Sequence, residues 1–388
     1  MRLSIFKNTD NLPANWSWGT IGDICEFKYG KSLPKSKRAE GEYPVFGSNG
    51  VVGFHNSFLI KGPAIIIGRK GSIGKVNYSE KDCFPIDTAY YAEFDKNTIH
   101  HKWLVQLLKV LPLSTLNKAA AVPGLNRNDA YKIEIPLPPL ETQKQIVELL
   151  DRAQVLIDNR KEQISHMDKL VQSLFNDMFG DPGENTMDWN IVKFNDVVES
   201  IVDIGSNGSN AVVAKNLFMS DKEDYAMMVR TVNFTANNFV DNAKYISNEV
   251  YDFFSKSQIF GGEIIMNKIG SAGKVWLMPY LNRPVSLGLN QFSIKVKSID
   301  SVYLFWYLES HYIKQKIQGM VRGAVTKSIT KTAIRELKVL LPPFDLQNTF
   351  AERVQKIEAQ KEAMTTSLSE LEDNFNSIMQ RAFKGELL

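Results

Sequence analysis

The chain has 388 residues, with 46 Lys and Arg against 43 Asp and Glu and a formal net charge of +3, enough length for two or three domains and an ordinary share of apolar residues for their cores. Only two cysteines occur, Cys25 and Cys83, which excludes a disulfide framework and points to a reducing, cytoplasmic setting; no apolar run reaches the roughly 18 residues of a membrane span, and Met1–Thr9 shows no signal peptide. So small a net charge identifies no nucleic-acid partner, and local clustering has to carry that argument.

The segment from about residue 12 to 134 opens with Trp16-Ser17-Trp18 followed by Ile21, Asp23 and Ile24, a short strand running into a helical turn. Trp189, Phe194, Asp196 and Val197 repeat it at an offset of 173 (189 − 16). From Lys28 to Arg38 five basic residues fall in eleven positions broken by Gly30 and Pro34, and a loop is expected. Its cations suit DNA phosphates, although a solvated surface loop is the plainer alternative. Tyr43 to Gly50 reads as a strand ending in a turn with Asn49-Gly50 chemistry. Ala64 to Ile67 is a buried strand, followed by Gly68-Arg69-Lys70-Gly71-Ser72-Ile73-Gly74-Lys75. Glu263 to Met266 and then Asn267 to Lys274 repeat that element at an offset of 199 (270 − 71). The second copy therefore carries 26 extra residues (199 − 173) between Asp196 and Gly270, placed in Ser206–Asn210 and around Arg230–Asn238. Trp103–Leu108 and Val302–Tyr307 mark matching short helices.

Two long segments follow the two copies. Ile135-Pro136-Leu137-Pro138-Pro139 and Leu340-Leu341-Pro342-Pro343 each lead into a helix with an acid, Glu141 or Asp345, in its first turn, where the helix dipole favours it. The offset is constant at 204 (342 − 138, 347 − 143, 383 − 179). A repeat of this kind sets the fold before any local element does. In the first segment Leu150, Ile157, Ile164, Val171 and Met178 step by seven beside Ile146, Ala153, Met167 and Leu174, with Arg160 breaking the second column. In the second, Val354, Leu368, Phe375 and Ala382 accompany Phe350, Ile357, Met364, Leu371 and Ile378, with Lys361 as the interruption. Heptads sustained this far predict coiled-coil helices, the first over 141–178 and about 57 Å long.

Catalytic motifs are missing. The Gly-Ser-x-Gly-Lys turns fail the nucleotide-binding loop twice, with Arg69 and Lys268 where a glycine belongs and Val76 and Val275 where Ser or Thr belongs. A tight turn presenting amides and lysines still suits a DNA backbone. The Pro-Pro pairs lack the preceding Asn or Asp of an amino-methyltransferase, and the five histidines have no metal spacing.

With both repeats laid out, the chain resembles the specificity (S) subunit of a type I restriction–modification enzyme. The resemblance rests on the Trp16-to-Asp23 start, Tyr43–Gly50, Gly68–Lys75, the Pro136–Gln143 opening and Met178-Phe179-Gly180-Asp181-Pro182, and it covers nearly the whole length. It implies an α+β protein with two α/β target-recognition domains, residues 1–134 and 183–338, separated by spacer helices in 135–182 and 339–388. Those helices would form an antiparallel coiled coil, giving a pseudo-two-fold internal repeat. It further implies a non-catalytic subunit of a methyltransferase/endonuclease complex that reads a bipartite site on double-stranded DNA, one domain per half-site. The coiled coil would dock methyltransferase (M) subunits, with restriction (R) subunits as further partners. No cofactor is expected in the chain itself; S-adenosylmethionine, ATP and Mg belong on the partner subunits. Arg and Lys hold phosphates as well as read guanine, and Asn reads adenine; the candidate DNA contacts are Lys31, Lys35, Lys37, Arg38, Ser48, Asn49, Arg69, Lys70, Lys75, Arg230, Asn233, Lys268, Lys274, Arg322 and Lys327, each taken alone a backbone contact before a base reader. The expected seam is Ile157, Ile164, Val171, Leu174, Leu368, Leu371, Phe375 and Ile378. A coiled-coil interaction scaffold without DNA specificity is the competing reading, and the salt dependence of DNA binding separates the two.

Overall fold

The computed structural model describes residues 12–116 and 124–387, so the expectation for Met1–Thr9 lies outside the described residues. The chain divides into two compact units, one formed by the chain up to Lys161 with the segment from Thr366 onward, the other by Glu162–Thr365.

In the first unit, strand Ser17–Thr20 pairs antiparallel with Glu134–Leu137. Thr20 then turns the chain into the short helix Ile21–Ile24, because the Asp23 carboxylate accepts both the Thr20 N–H and its hydroxyl at 2.7 Å. A four-stranded antiparallel sheet follows, in the order Glu26–Tyr29, Ala89–Glu93, Ala64–Gly68, Val76–Ser79. Ala64–Gly68 is central and buried throughout, which accounts for its unbroken apolar sequence. A second, three-stranded sheet holds the hairpin Tyr43–Gly47/Gly50–His55 and the short strand Phe84–Pro85. Helix His101–Val110 covers the larger sheet with Trp103, Leu104, Leu107 and Leu108, all fully buried. The expected loop from Lys28 is corrected in part: Lys28 and Tyr29 end a strand, Lys28 pairs with Glu26 at 2.6 Å, and Lys35–Lys37 form a 3-10 turn.

The second unit repeats this plan. Asn190–Lys193 pairs with Lys338–Leu341, and a four-stranded sheet runs Val198–Val202, Gln291–Val296, Ile264–Asn267, Val275–Leu277. A further sheet runs Lys244–Ile246, Ala226–Val229, Val285–Leu287, Gln258–Ile259. Where the first unit joins Tyr43–Gly47 to its neighbour by a two-residue turn, the second inserts helix Thr231–Ala236 between Ala226–Val229 and Lys244–Ile246. The extra residues thus fold into short helices, here and at Asn210–Asn216 and Asn248–Phe253, instead of open loops.

The long helices run Leu140–Phe179 and Phe344–Phe383, 40 residues each. Gln143 and Gln347 tie their starts down in the same way. Gln143 Oε1 accepts the His100 N–H at 2.8 Å while its amide donates to Pro138 O and Thr98 O, and Gln347 Oε1 accepts the Asp300 N–H at 2.8 Å while its amide donates to Pro342 O. Both side chains are buried. Reduced exposure follows the heptad along each helix, through Ile146, Leu150, Ala153, Ile157, Arg160, Ile164, Met167, Val171, Leu174 and Met178 on the first and from Phe350 to Ala382 on the second.

Of the expected seam, Ile157 and Val171 are buried, while Ile164, Leu174, Leu368, Leu371, Phe375 and Ile378 are half-buried. In the second unit the two helices lie antiparallel, since Asp168 meets Lys361 at 2.5 Å and Phe175 meets Phe350 with ring centroids 5.6 Å apart. In the first unit Lys161 pairs with Glu372 at 2.7 Å and Phe383 packs on Trp103. One seam expectation is corrected. Phe175 and Phe179, not Leu174, are the fully buried side chains at that end, clustered with Tyr303 and Phe350. The heptad drifts against a 3.6-residue helix, and where the helix packs into the second unit's core as well as on its partner the buried positions step by four.

Candidate nucleic-acid interface

The glycine turn is the best-defined feature of each unit. Gly71 and Gly74 have φ of +79° and +73°, and Gly270 and Gly273 both have +85°, left-handed values that glycine adopts without cost. At Gly74 a Cβ would also strike the Leu113–Ser114 backbone at 2.6 Å. The turn therefore keeps one backbone shape in both units and carries basic residues at equivalent positions.

In the first unit it lies against the hairpin turn. Lys75 Nζ donates to Asn49 Oδ1 at 2.7 Å and to Asn49 O at 3.0 Å, and a Cβ on Gly71 would meet Ser48 Oγ at 3.3 Å. Ser48, Asn49, Arg69, Lys70 and Lys75 are thus brought together. The loop lysines Lys31, Lys35 and Lys37 are exposed, while Arg38 ties the loop to the hairpin, donating to Val52 O at 2.7 Å and Leu33 O at 3.3 Å.

In the second unit Lys274 lies over the Trp276 ring at 5.2 Å, and the Gly270 N–H donates to Lys327 O at 3.0 Å. Arg322 and Ser328 close a small loop with two backbone hydrogen bonds of 2.8 Å, which places Arg322 and Lys327 beside the turn. Lys274, Lys314 and Lys327 line an open cleft of about 460 Å³. One candidate is corrected here, and a second is engaged in part by the fold. Asn233 is buried, accepting the Arg230 N–H at 2.9 Å and donating to Asn238 O at 3.1 Å, so its amide edge is used by the fold. Arg230 donates to Asn242 O at 2.6 Å and braces that connection.

Four residues that the sequence did not single out join these candidates. In the first unit, the guanidinium carbons of Arg69 and Arg127 lie 4.8 and 5.1 Å from the centroid of the Tyr29 ring. Arg69 also donates to Asp87 O at 3.0 Å and Arg127 to Phe27 O at 3.1 Å. In the second, Lys268 and Lys331 converge on Asp203 at 2.9 and 2.6 Å, with Lys331 also reaching Ser206 Oγ at 2.8 Å. Burial alone would push the Asp203 carboxyl up, but the two ammonium groups outweigh it and hold it at about 2. A cavity of about 500 Å³ opens beside it, lined by Asn210, Asn290, Val213 and Leu217 among others. One signal could have found Arg127 and Lys331: they share the 204-residue offset of the long helices (331 − 127). Tyr29 and Asp203 carry none, since only the fold brings them to the cations.

The arrangement offers cations, amides and a few aromatic faces, the chemistry of an anion-binding surface. Among the described residues no group of His, Cys, Asp and Glu could hold a metal ion, and no helix is long and apolar enough to cross a membrane. Cys25 and Cys83 are free and buried, and burial pushes each thiol up to about 12.

The family model of the type I restriction modification DNA specificity domain matches residues 13–166 and 187–373, once per repeat. The chain belongs to this family of specificity subunits. It is 23% identical to the type I restriction enzyme MjaVIII specificity subunit of Methanocaldococcus jannaschii, over 98% of this chain and 96% of that one. The EcoDI specificity subunit of Escherichia coli is 20% identical over 97% of this chain and 89% of its own. Among solved structures, the type I restriction–modification S subunit of M. genitalium matches with a TM-score of 0.55 at 17% identity, covering 98% of each chain. A chain from a type I R-M system solved for its complex assembly and conformational transition matches with a TM-score of 0.60, covering 97% of this chain and all of that one. These likenesses carry the fold. The family carries the role, sequence recognition in a restriction–modification system.

Proposed function

We propose that the two units each read one half of a bipartite site on double-stranded DNA, while the long helices dock methyltransferase subunits, with restriction subunits as further partners. The observation that carries this reading is the doubled frame: one glycine turn in two copies, each with basic residues at equivalent positions but joined by different connections. A shared scaffold with different connections is what two different half-sites require. Guanidinium and ammonium groups on the turns position the units on phosphates, and the neighbouring side chains supply the base contacts. Catalysis, and with it S-adenosylmethionine, ATP and Mg, resides on the partner subunits, and the complex works in the cytoplasm, where two free thiols are stable.

The test pairs two measurements. Methylation-sensitive sequencing of host DNA with and without this gene should reveal one split motif that disappears with the gene. Binding of the matching duplex should weaken steeply with salt, by about 0.9 log units in the association constant per phosphate contact for each tenfold rise. A chain that binds protein partners but shows no salt-sensitive affinity for that duplex would be an interaction scaffold instead.

A further inference from the structure

The two units place a pair of cations at the same two positions and give the pair different company. Arg69 and Lys268 each follow the central strand into the glycine turn, 199 residues apart (268 − 69). Arg127 and Lys331 each open the short helix that precedes the closing strand. The backbone matches as well: Leu125 N–H donates to Arg69 O at 2.9 Å, and Ile329 N–H donates to Lys268 O at 3.0 Å.

In the first unit the pair flanks an aromatic ring, and among the described residues neither arginine forms an ion pair with a carboxylate. A guanidinium stacked on a ring keeps its full charge and leaves part of its donor edge open. In the second unit the pair clamps Asp203, whose carboxylate stays ionised throughout the neutral range. Two cations without a carboxylate leave a charge of +2; two cations with one leave +1.

We propose that this cation pair is the phosphate-contacting centre of each unit, and that Asp203 makes the second centre the weaker one, so that the first unit anchors the chain on DNA and the second selects. The proposal rests on the DNA reading given above. A half-site held by fewer phosphate contacts gains less sequence-independent affinity, so base contacts decide a larger share of its binding. Asp203 is then a specificity-determining residue that acts by taking up charge from Lys268 and Lys331.

The experiment uses the full chain with its methyltransferase partner and a fluorescent duplex carrying the motif found by methylation sequencing, titrated over a range of KCl. Asp203→Asn frees one net positive charge. It should tighten binding at low salt and steepen the plot of log K against log salt by about 0.9. A slope that is unmoved or shallower in a variant that remains folded at the assay temperature overturns the proposal. Should Asp203→Asn fail to fold, Asp203→Asn combined with Lys331→Gln, which removes one charge of each sign, decides the matter: it should leave the slope unmoved, while Arg127→Gln should cost about 0.9; a loss of about 0.9 from the combined variant overturns the proposal. Failure of the wild type to bind the duplex with salt sensitivity sinks the DNA reading and this inference together. A steep wild-type slope that Asp203→Asn leaves unmoved sinks this inference alone.

Discussion

Asp203 shows how one buried charge is tolerated. The residue is only 9% exposed, yet its carboxylate stays ionised because two ammonium groups and the Ser206 hydroxyl surround it. Its folded pKa of about 2 lies below the usual aspartate value, so the cluster stabilises the fold above pH ~4, and that contribution is lost as pH falls towards 2. The size is about 2 kcal/mol. Urea unfolding of the wild type and of Asp203→Asn should therefore show a stability gap near pH 6 that narrows as the pH drops below ~4; a gap that widens on acidification would contradict the charge pairing. Nothing in the sequence marks this aspartate. By contrast, Gln143 and Gln347 were visible as a repeated letter, because each sits at a fixed distance from a Pro-Pro pair. What remained hidden was their task, which depends on His100 and Asp300 arriving from elsewhere in the chain.

At the level of elements, periodicity was a good guide wherever one force dominated. The central strands, the two matched short helices and both long helices were legible because burial on one side imposes a period or an unbroken apolar run. The guide failed where two partners compete for one helix. Leu174 belongs to the heptad column, but Phe175 and Phe179 face the aromatic cluster of the second unit. Their positions follow from the sheet and from Tyr303, which no local pattern displays. The consequence is measurable. Phe175→Ala should destabilise the protein by about 3–5 kcal/mol, whereas Leu174→Ala, half-buried, should cost clearly less. Equal losses in chemical denaturation would restore the simple heptad.

For the molecule as a whole, repetition was the most legible property, since three offsets defined two copies before any element was known. The different connections were legible only as a length, 26 residues, and not as the helices they form. Separate compact units also make a prediction about specificity. Contributions from distant sites usually add to within about 0.5 kcal/mol. Exchanging the connection from Arg230 to Asn238 for that of a relative should therefore alter one half of the methylated motif and leave the other half unchanged. Sequencing methylated DNA from cells carrying the exchange checks this, and a change in both halves would show that the units do not read independently.

The division of the chain also orders its manufacture. The second unit is one continuous stretch, Glu162–Thr365, but the first needs the segment from Thr366 onward, where Phe383 packs on Trp103. A ribosome releases that segment 205 residues (366 − 161) after Lys161, a delay of roughly 10–40 s at about 5–20 residues per second. The first unit, though made first, is completed last. During that interval Trp103, Leu107 and Leu108 await part of their cover, and a chaperone has its longest opportunity there.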